Sequence, residues 1–111
     1  MSRLPCITLL LLALCLGAAA SRPSGSTFAL TLAPYRQSNP VVSGNIVVWE
    51  DCRDYLTNGV DIYGYNLAER REFAICTAPG DQTLPYLAGN IVAWQDARNG
   101  EEADIYAYNL E

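Results

Sequence analysis

The stretch SGNIVVWED at Ser43–Asp51 returns as AGNIVAWQD at Ala88–Asp96, and this echo decides the fold. The match continues on either side. FALTLAP, opening at Phe28, comes back as FAICTAP, opening at Phe73, about 45 residues further on. VDIYGYNL at Val60–Leu67 returns as ADIYAYNL at Ala103–Leu110, after a shorter loop. A tandem unit of this length built from short apolar runs cannot bury its faces alone and stacks against its neighbours. The pattern points to blades of a β-propeller.

Each unit reads as four short strands, because apolar alternation is bounded by Pro, Gly, Asn and Asp. The pairs of matching strands are Phe28–Leu32 with Phe73–Thr77, and Val41–Ser43 with Tyr86–Ala88. Asn45–Glu50 matches Asn90–Gln95, and Asp61–Leu67 matches Asp104–Leu110. Ile46 and Val48 point one way and Val47 and Trp49 the other, so both faces are apolar, as a sheet held between two others requires. Tyr63 and Tyr65 share a face opposite Ile62 and Gly64; Tyr106 and Tyr108 do the same opposite Ile105 and Ala107. Gly44-Asn45 and Gly89-Asn90 read as tight hairpin turns. The expected class is all-β, made of antiparallel four-stranded β-propeller blades, about two of them, forming an incomplete propeller. No helix is expected after residue 20.

The first residues read as an address. Arg3 gives a positive start, Ile7–Leu16 an apolar run, and Gly17–Ala20 the small residues of a cleavage site. Residues 1–20 are therefore expected to be a signal peptide, with residues 21–27 (SRPSGST) a linker and residues 28–111 the repeats. An anchored helix and a lipid anchor at Cys15 are the alternatives, but the run is short for a membrane span and Leu14 is large for a lipoprotein signal. Export leaves Cys52 and Cys76, and an even pair in an oxidising compartment reads as a disulfide. Such a bond, closing a loop of about 25 residues, contributes roughly 3 kcal/mol in the chain-entropy model.

The chain carries 7 basic and 12 acidic side chains, a net charge of −5, and no His. An acidic surface argues against nucleic acid and against anionic lipid as partners. The lack of His excludes Ser-His-Asp and Cys-His arrangements. Paired carboxylates for glycoside chemistry are not repeated, since Glu50 becomes Gln95. No Gly-rich phosphate loop occurs.

Taken together, Gln-x-x-Pro, Ser/Ala-Gly-Asn-Ile-Val, Trp-x-Asp-x-Arg and Asp-Ile-Tyr-x-Tyr-Asn-Leu resemble the TolB-like β-propeller repeat. The resemblance is to the tandem version found in secreted and cell-surface proteins, and it covers nearly all of residues 28–111. TolB-type repeats carry Ser-Pro-Asp-Gly at the first hairpin, where this chain has Ser43-Gly44-Asn45 and Ala88-Gly89-Asn90. The resemblance implies a propeller, a binding role and no transferable catalytic residue. Two units do not close a propeller of about four to eight blades. The expectation is either a ring of several copies closed by strand exchange, or further blades of a longer chain.

Among polar candidates, Asp51, Arg53 and Asp61 recur as Asp96, Arg98 and Asp104. They read as Asp-Arg-Asp networks that fix a hairpin loop, with a ligand-facing rim as the functional alternative. The acidic loop Asp96–Asp104 offers oxygen ligands around Asn99-Gly100 that suit calcium, but lacks EF-hand spacing. Trp49, Trp94, Tyr63, Tyr65, Tyr106 and Tyr108 read as packing between blades, with sugar stacking as the alternative. No catalytic residue, metal or cofactor is assigned. The functional expectation is a secreted or cell-envelope module that binds or scaffolds a protein or envelope component. Part of a larger propeller enzyme, such as a polysaccharide lyase or the gating domain of a peptidase, and a surface-layer component are the alternatives.

Overall fold

Antiparallel pairing starts at the two glycine hairpins. Gly44 and Gly89 take positive φ of 56° and 55°, so each strand reverses in two residues. In this computed structural model, which describes residues 24–111, β1 (Gln37–Ser43), β2 (Ile46–Asp51), β3 (Asp61–Asn66) and β4 (Arg71–Cys76) form a four-stranded antiparallel sheet in that order. β5 (Gln82–Ala88), β6 (Ile91–Asp96) and β7 (Asp104–Asn109) form a three-stranded one. We call these sheet A and sheet B. The expected signal peptide and the first residues of the linker lie outside the described residues.

The two sheets share their register. Val41 faces Val48 and Ser38 faces Glu50, so Asn39 and Pro40 together oppose Trp49. Tyr86 faces Ala93 and Thr83 faces Gln95, so Leu84 and Pro85 oppose Trp94. Each is a β-bulge, with the residue before the proline at φ 52°. Pro has no N–H to offer a ladder and sits where the ladder is already interrupted. This bulge carries β1 and β5 back to Gln37 and Gln82, several residues earlier than alternation alone places them.

One face of sheet A packs on one face of sheet B. Val48 and Ile62 meet Leu87, Val92 and Trp94 in a common buried core, flanked by Val41, Ile46, Ile75, Cys76, Tyr106 and Leu110. Backbone joins the sheets as well. Gly80 N–H donates to Asn58 O at 3.0 Å and Gln82 N–H to Val60 O at 2.8 Å. The approach is close enough that a Cβ on Gly59 would lie 2.6 Å from the Gly80 carbonyl oxygen, so only glycine fits there.

Three expectations need correction. Phe28–Leu32 is not a strand: it has no ladder partner among the described residues and runs as irregular chain, with Leu30 and Thr31 lining a cleft beside Val47 and Trp49 on the outer face of sheet A. One helical turn, α1 (Tyr55–Asn58), occurs where no helix was expected. The first copy's longer loop lets Asn58 N–H reach Asp54 O at 2.8 Å, and Gly59 at φ 93° ends the turn. Finally, Cys52 and Cys76 are both free thiols. Cys52 follows β2, Cys76 lies on β4 opposite Ile62, and β3 runs between them. Two strand spacings separate them by roughly 9–10 Å, beyond the reach of a disulfide.

Candidate functional site

The recurring Trp-x-Asp-x-Arg ends β2 and β6, where alternation turns Trp and Asp to the same side of the strand. In sheet A, Asp51 accepts hydrogen bonds from Trp49 Nε1 at 2.8 Å, from Arg53 N at 2.9 Å, and from Arg53 Nε and Nη2 at 2.9 and 2.8 Å. The Arg53 guanidinium then lies over the Tyr63 ring, 3.8 Å from its centroid. Sheet B repeats the arrangement. Asp96 accepts from Trp94 Nε1 at 2.8 Å, from Arg98 N at 3.0 Å, and from Arg98 Nε and Nη2 at 2.9 and 2.7 Å. Arg98 lies 3.8 Å over Tyr106. Each is a clasp of four side chains that closes one end of a sheet.

Electrostatics fix the clasps in their charged form. Burial works against the Asp51 charge, but the hydrogen bonds from Arg53 and Trp49 outweigh it and hold its pKa below the ordinary carboxylate value. The hydrogen bond from Arg98 holds Asp96 well below that range despite burial. Both arginines are pushed further up, first by their hydrogen bonds to these carboxylates. Carboxylates with their lone pairs occupied in this way serve as anchors rather than as acids or bases.

The third member of each expected Asp-Arg-Asp network falls elsewhere. Arg53 uses its remaining donors on Glu72, from Nη1 at 3.2 Å and Nη2 at 2.8 Å, and not on Asp61. Asp61, fully buried, accepts at Oδ1 from Asn58 Nδ2 at 3.1 Å, while its Oδ2 has no partner. Burial, aided by the charges of Asp54 and Asp51 and opposed by the Asn58 bond, raises its pKa to about 6. Asp104 is exposed and accepts from Asn99 at 3.1 Å. The two acidic ends of the Asp96–Asp104 loop thus serve different partners. Among the described residues no group of three or more His, Cys, Asp or Glu is placed to hold a metal ion.

The aromatic candidates separate into two sets. Trp94 and Tyr106 pack in or against the core between the sheets. Trp49 is equally buried, but under the Phe28–Leu32 segment rather than another sheet. Tyr63 is half-buried beneath Arg53, Tyr65 lines a cleft with Phe28, and Tyr108 is 40% exposed. Cys76 is a free thiol. Its thiol receives Arg98 Nη2 at 3.1 Å and faces Asp96 Oδ2 at 3.9 Å, and burial pushes its pKa up.

Four partners were not legible from the sequence. Glu50, buried, accepts Leu84 N–H at 2.7 Å across the sheet boundary and Ser38 Oγ at 3.2 Å. Gln82, also buried, places Nε2 3.5 Å from Asp96 Oδ1 and leaves Oε1 without a partner. Asp81 accepts Val60 N–H at 3.0 Å, and Asn58 donates to Thr77 O at 2.8 Å. The repeated Gln of Gln-x-x-Pro was the available signal for Gln82; the Glu50-to-Gln95 exchange was the signal for Glu50.

Compared with protein-family models, with curated proteins and with solved structures, the chain matches none. No helix among the described residues is long and apolar enough to cross a membrane.

Proposed function

We propose that this chain is an exported repeat module of the TolB-like β-propeller type, whose sheets stack as blades and whose rim offers a binding or scaffolding surface without catalysis of its own. One observation carries the reading: the same Trp-Asp-Arg-Tyr clasp closes two sheets of identical register packed face to face. Side chains that recur with the same structural hydrogen bonds serve the architecture, and a unique active site need not recur. The clasps at one end of each sheet leave the loops there as the ligand-facing part. With 12 acidic and 7 basic side chains, that part suits a protein or an uncharged glycan of the envelope rather than nucleic acid.

The test has two arms. The full chain is expressed in a bacterial host, recovered by fraction and sequenced from its N-terminus. Recovery outside the cytoplasm with Ser21 or a neighbouring residue first is the expected result; Met1 retained on a cytosolic product overturns export. The recovered protein is then assayed against polysaccharide and peptide substrates, where turnover abolished by Asp61→Asn would overturn the non-catalytic reading.

A further inference from the structure

The contact between the two sheets leaves one copy of each mating face unused. Sheet A presents Val41, Ile46, Val48, Glu50 and Ile62 to sheet B, all buried or half-buried. The same strand positions in sheet B are Tyr86, Ile91, Ala93, Gln95 and Ile105. There Tyr86 is 73% exposed and Ile105 72%, and they form with Leu84 an open apolar cleft. The complementary face also exists twice. Sheet B meets sheet A through Leu87, Val92 and Trp94; sheet A carries Val42, Val47 and Trp49 at those positions, beside a cleft with little polar surface lined by Leu30 and Pro40. Each chain thus bears both halves of one interface on opposite sides of its sheet pair, the sheet B half open and the sheet A half lying beneath Leu30 and Thr31, which must move aside to join the next copy.

We infer that a second copy of this chain occupies the uncovered face of sheet B, repeating between molecules the contact made within one. The proposal rests on the stacked-sheet reading above. Three features make a second copy the specific occupant. First, the corresponding strand positions already meet once within this molecule, so the two sheet registers pack in this arrangement. Second, the polar lock has its parts in place. Glu50 accepts the N–H of Leu84 at the β5 bulge, and Gln95 stands ready to accept that of Asn39, which sits at the same bulge with the same φ of 52°. Third, β7 has a free outer edge among the described residues, while Phe28–Leu32 is apolar and without a ladder. In sheet A, Ile62 pairs with Cys76 and Tyr63 with Ala74. Transposed, Ile105 pairs with Thr31 and Tyr106 with Ala29 of the next copy, by addition of a strand to an exposed edge. Ala107 stands where Gly64 makes room for Phe73, so Phe28 must tilt more than its counterpart. The contact is heterologous, and repeating it closes a ring or grows a filament.

The experiment measures the mass of the full chain, as recovered from expressing cells, by light scattering over a dilution series. A discrete multiple of the 12.1 kDa protomer is expected, allowing for any residues removed on export. For rings of about four to eight sheets this means about two to four copies. Ile105→Arg and Tyr86→Arg lie on exposed positions and should reduce that mass to the protomer while leaving the near-ultraviolet circular dichroism unchanged. When chains bearing Thr31→Cys and chains bearing Ile105→Cys are mixed under oxidant, they should cross-link, and neither alone nor the unmodified chain should. A monomer with native circular dichroism overturns the second-copy contact while leaving the stacked-sheet reading intact. An oligomer that survives Ile105→Arg, or a mixture that fails to cross-link, equally overturns it. Loss of the native spectrum in the unmodified chain would instead sink the stacking on which it rests.

Discussion

Ile62 and Ile105 occupy the same position in two strands of the same register, yet one is fully buried and the other 72% exposed. The difference is not local. Both strands alternate in the same way, both end in the same clasp, and both place their tyrosine under an arginine. Sheet A has sheet B on one side and the Phe28–Leu32 segment on the other. Among the described residues, sheet B is covered on one side only. A repeated pattern therefore makes both faces of a sheet apolar, while the cover of each face is supplied by whatever lies next to it.

The contrast is broken most forcefully at these isoleucines. Ile62→Ala should cost about 2–5 kcal/mol in urea unfolding, because it empties a packed site. Ile105→Ala, measured at dilutions where chains are separate, should change stability by no more than about 0.5 kcal/mol. Next come the clasps. Asp51→Ala leaves the buried Trp49 Nε1–H without an acceptor and is expected to cost about 3 kcal/mol. Asp96→Ala should also destabilise, and the comparison reports what Glu72 contributes by holding Arg53 when the aspartate is gone.

Asp61 has a pH signature of the opposite sign to the clasps. Its folded pKa of about 6 stands above its ordinary value of 3.8, so folding favours the protonated form. The resulting penalty is absent below pH 4, grows as pH rises through the folded value, and is complete above it. Asp61→Asn should match the parent at pH 3 and exceed it by about 2–3 kcal/mol at pH 8, read from denaturant midpoints across the range. Asp51 behaves the other way: its depressed pKa adds stability above the ordinary carboxylate value that is lost as pH falls. A smaller effect is expected at the sheet boundary. Glu50→Gln weakens the acceptor for Leu84 N–H and should cost about 1 kcal/mol, while Gln95→Glu, on an exposed position, should be neutral in separate chains. The smallest effect is none. Because Cys52 and Cys76 are free, a reductant should leave the thermal midpoint unmoved, where a disulfide would lower it by several degrees.

Much of this was legible in the residues. Alternation located β2, β3, β6 and β7 to within about one residue, and Gly44 and Gly89 located the hairpins. What failed did so for definite reasons. Apolar alternation does not by itself make a ladder: in Phe28–Leu32 only Leu30 and Thr31 line the cleft beside Trp49, while Phe28 and Leu32 are exposed. Counting cysteines does not see that β3 stands between Cys52 and Cys76. Pro40 and Pro85 marked the bulges, but only the pairing shows that two residues there oppose one tryptophan. The Arg53 bond to Glu72 was hidden because its partner lies on a strand two removed from β2. The clasp itself is half legible: the sequence points to Asp and Arg as fixing the loop, and to Trp49 and Trp94 as packing between blades or stacking on a sugar. In the structure their rings are buried and their indole N–H groups donate to Asp51 and Asp96.

The close approach at Gly59 and Gly80 has a mechanical consequence. Gly80 to Asn58, Gln82 to Val60, Val60 to Asp81 and Leu84 to Glu50 are short hydrogen bonds that tie the two sheets together within a few residues of one another. A force that separates the sheets loads these bonds together instead of one after another. A side chain at Gly59 would stand in the contact like a wedge, and the load would then pass to the apolar core alone. In any longer stack of such sheets the weak direction is across the uncovered face of sheet B, and a pull along the stack should part it there before this seam yields.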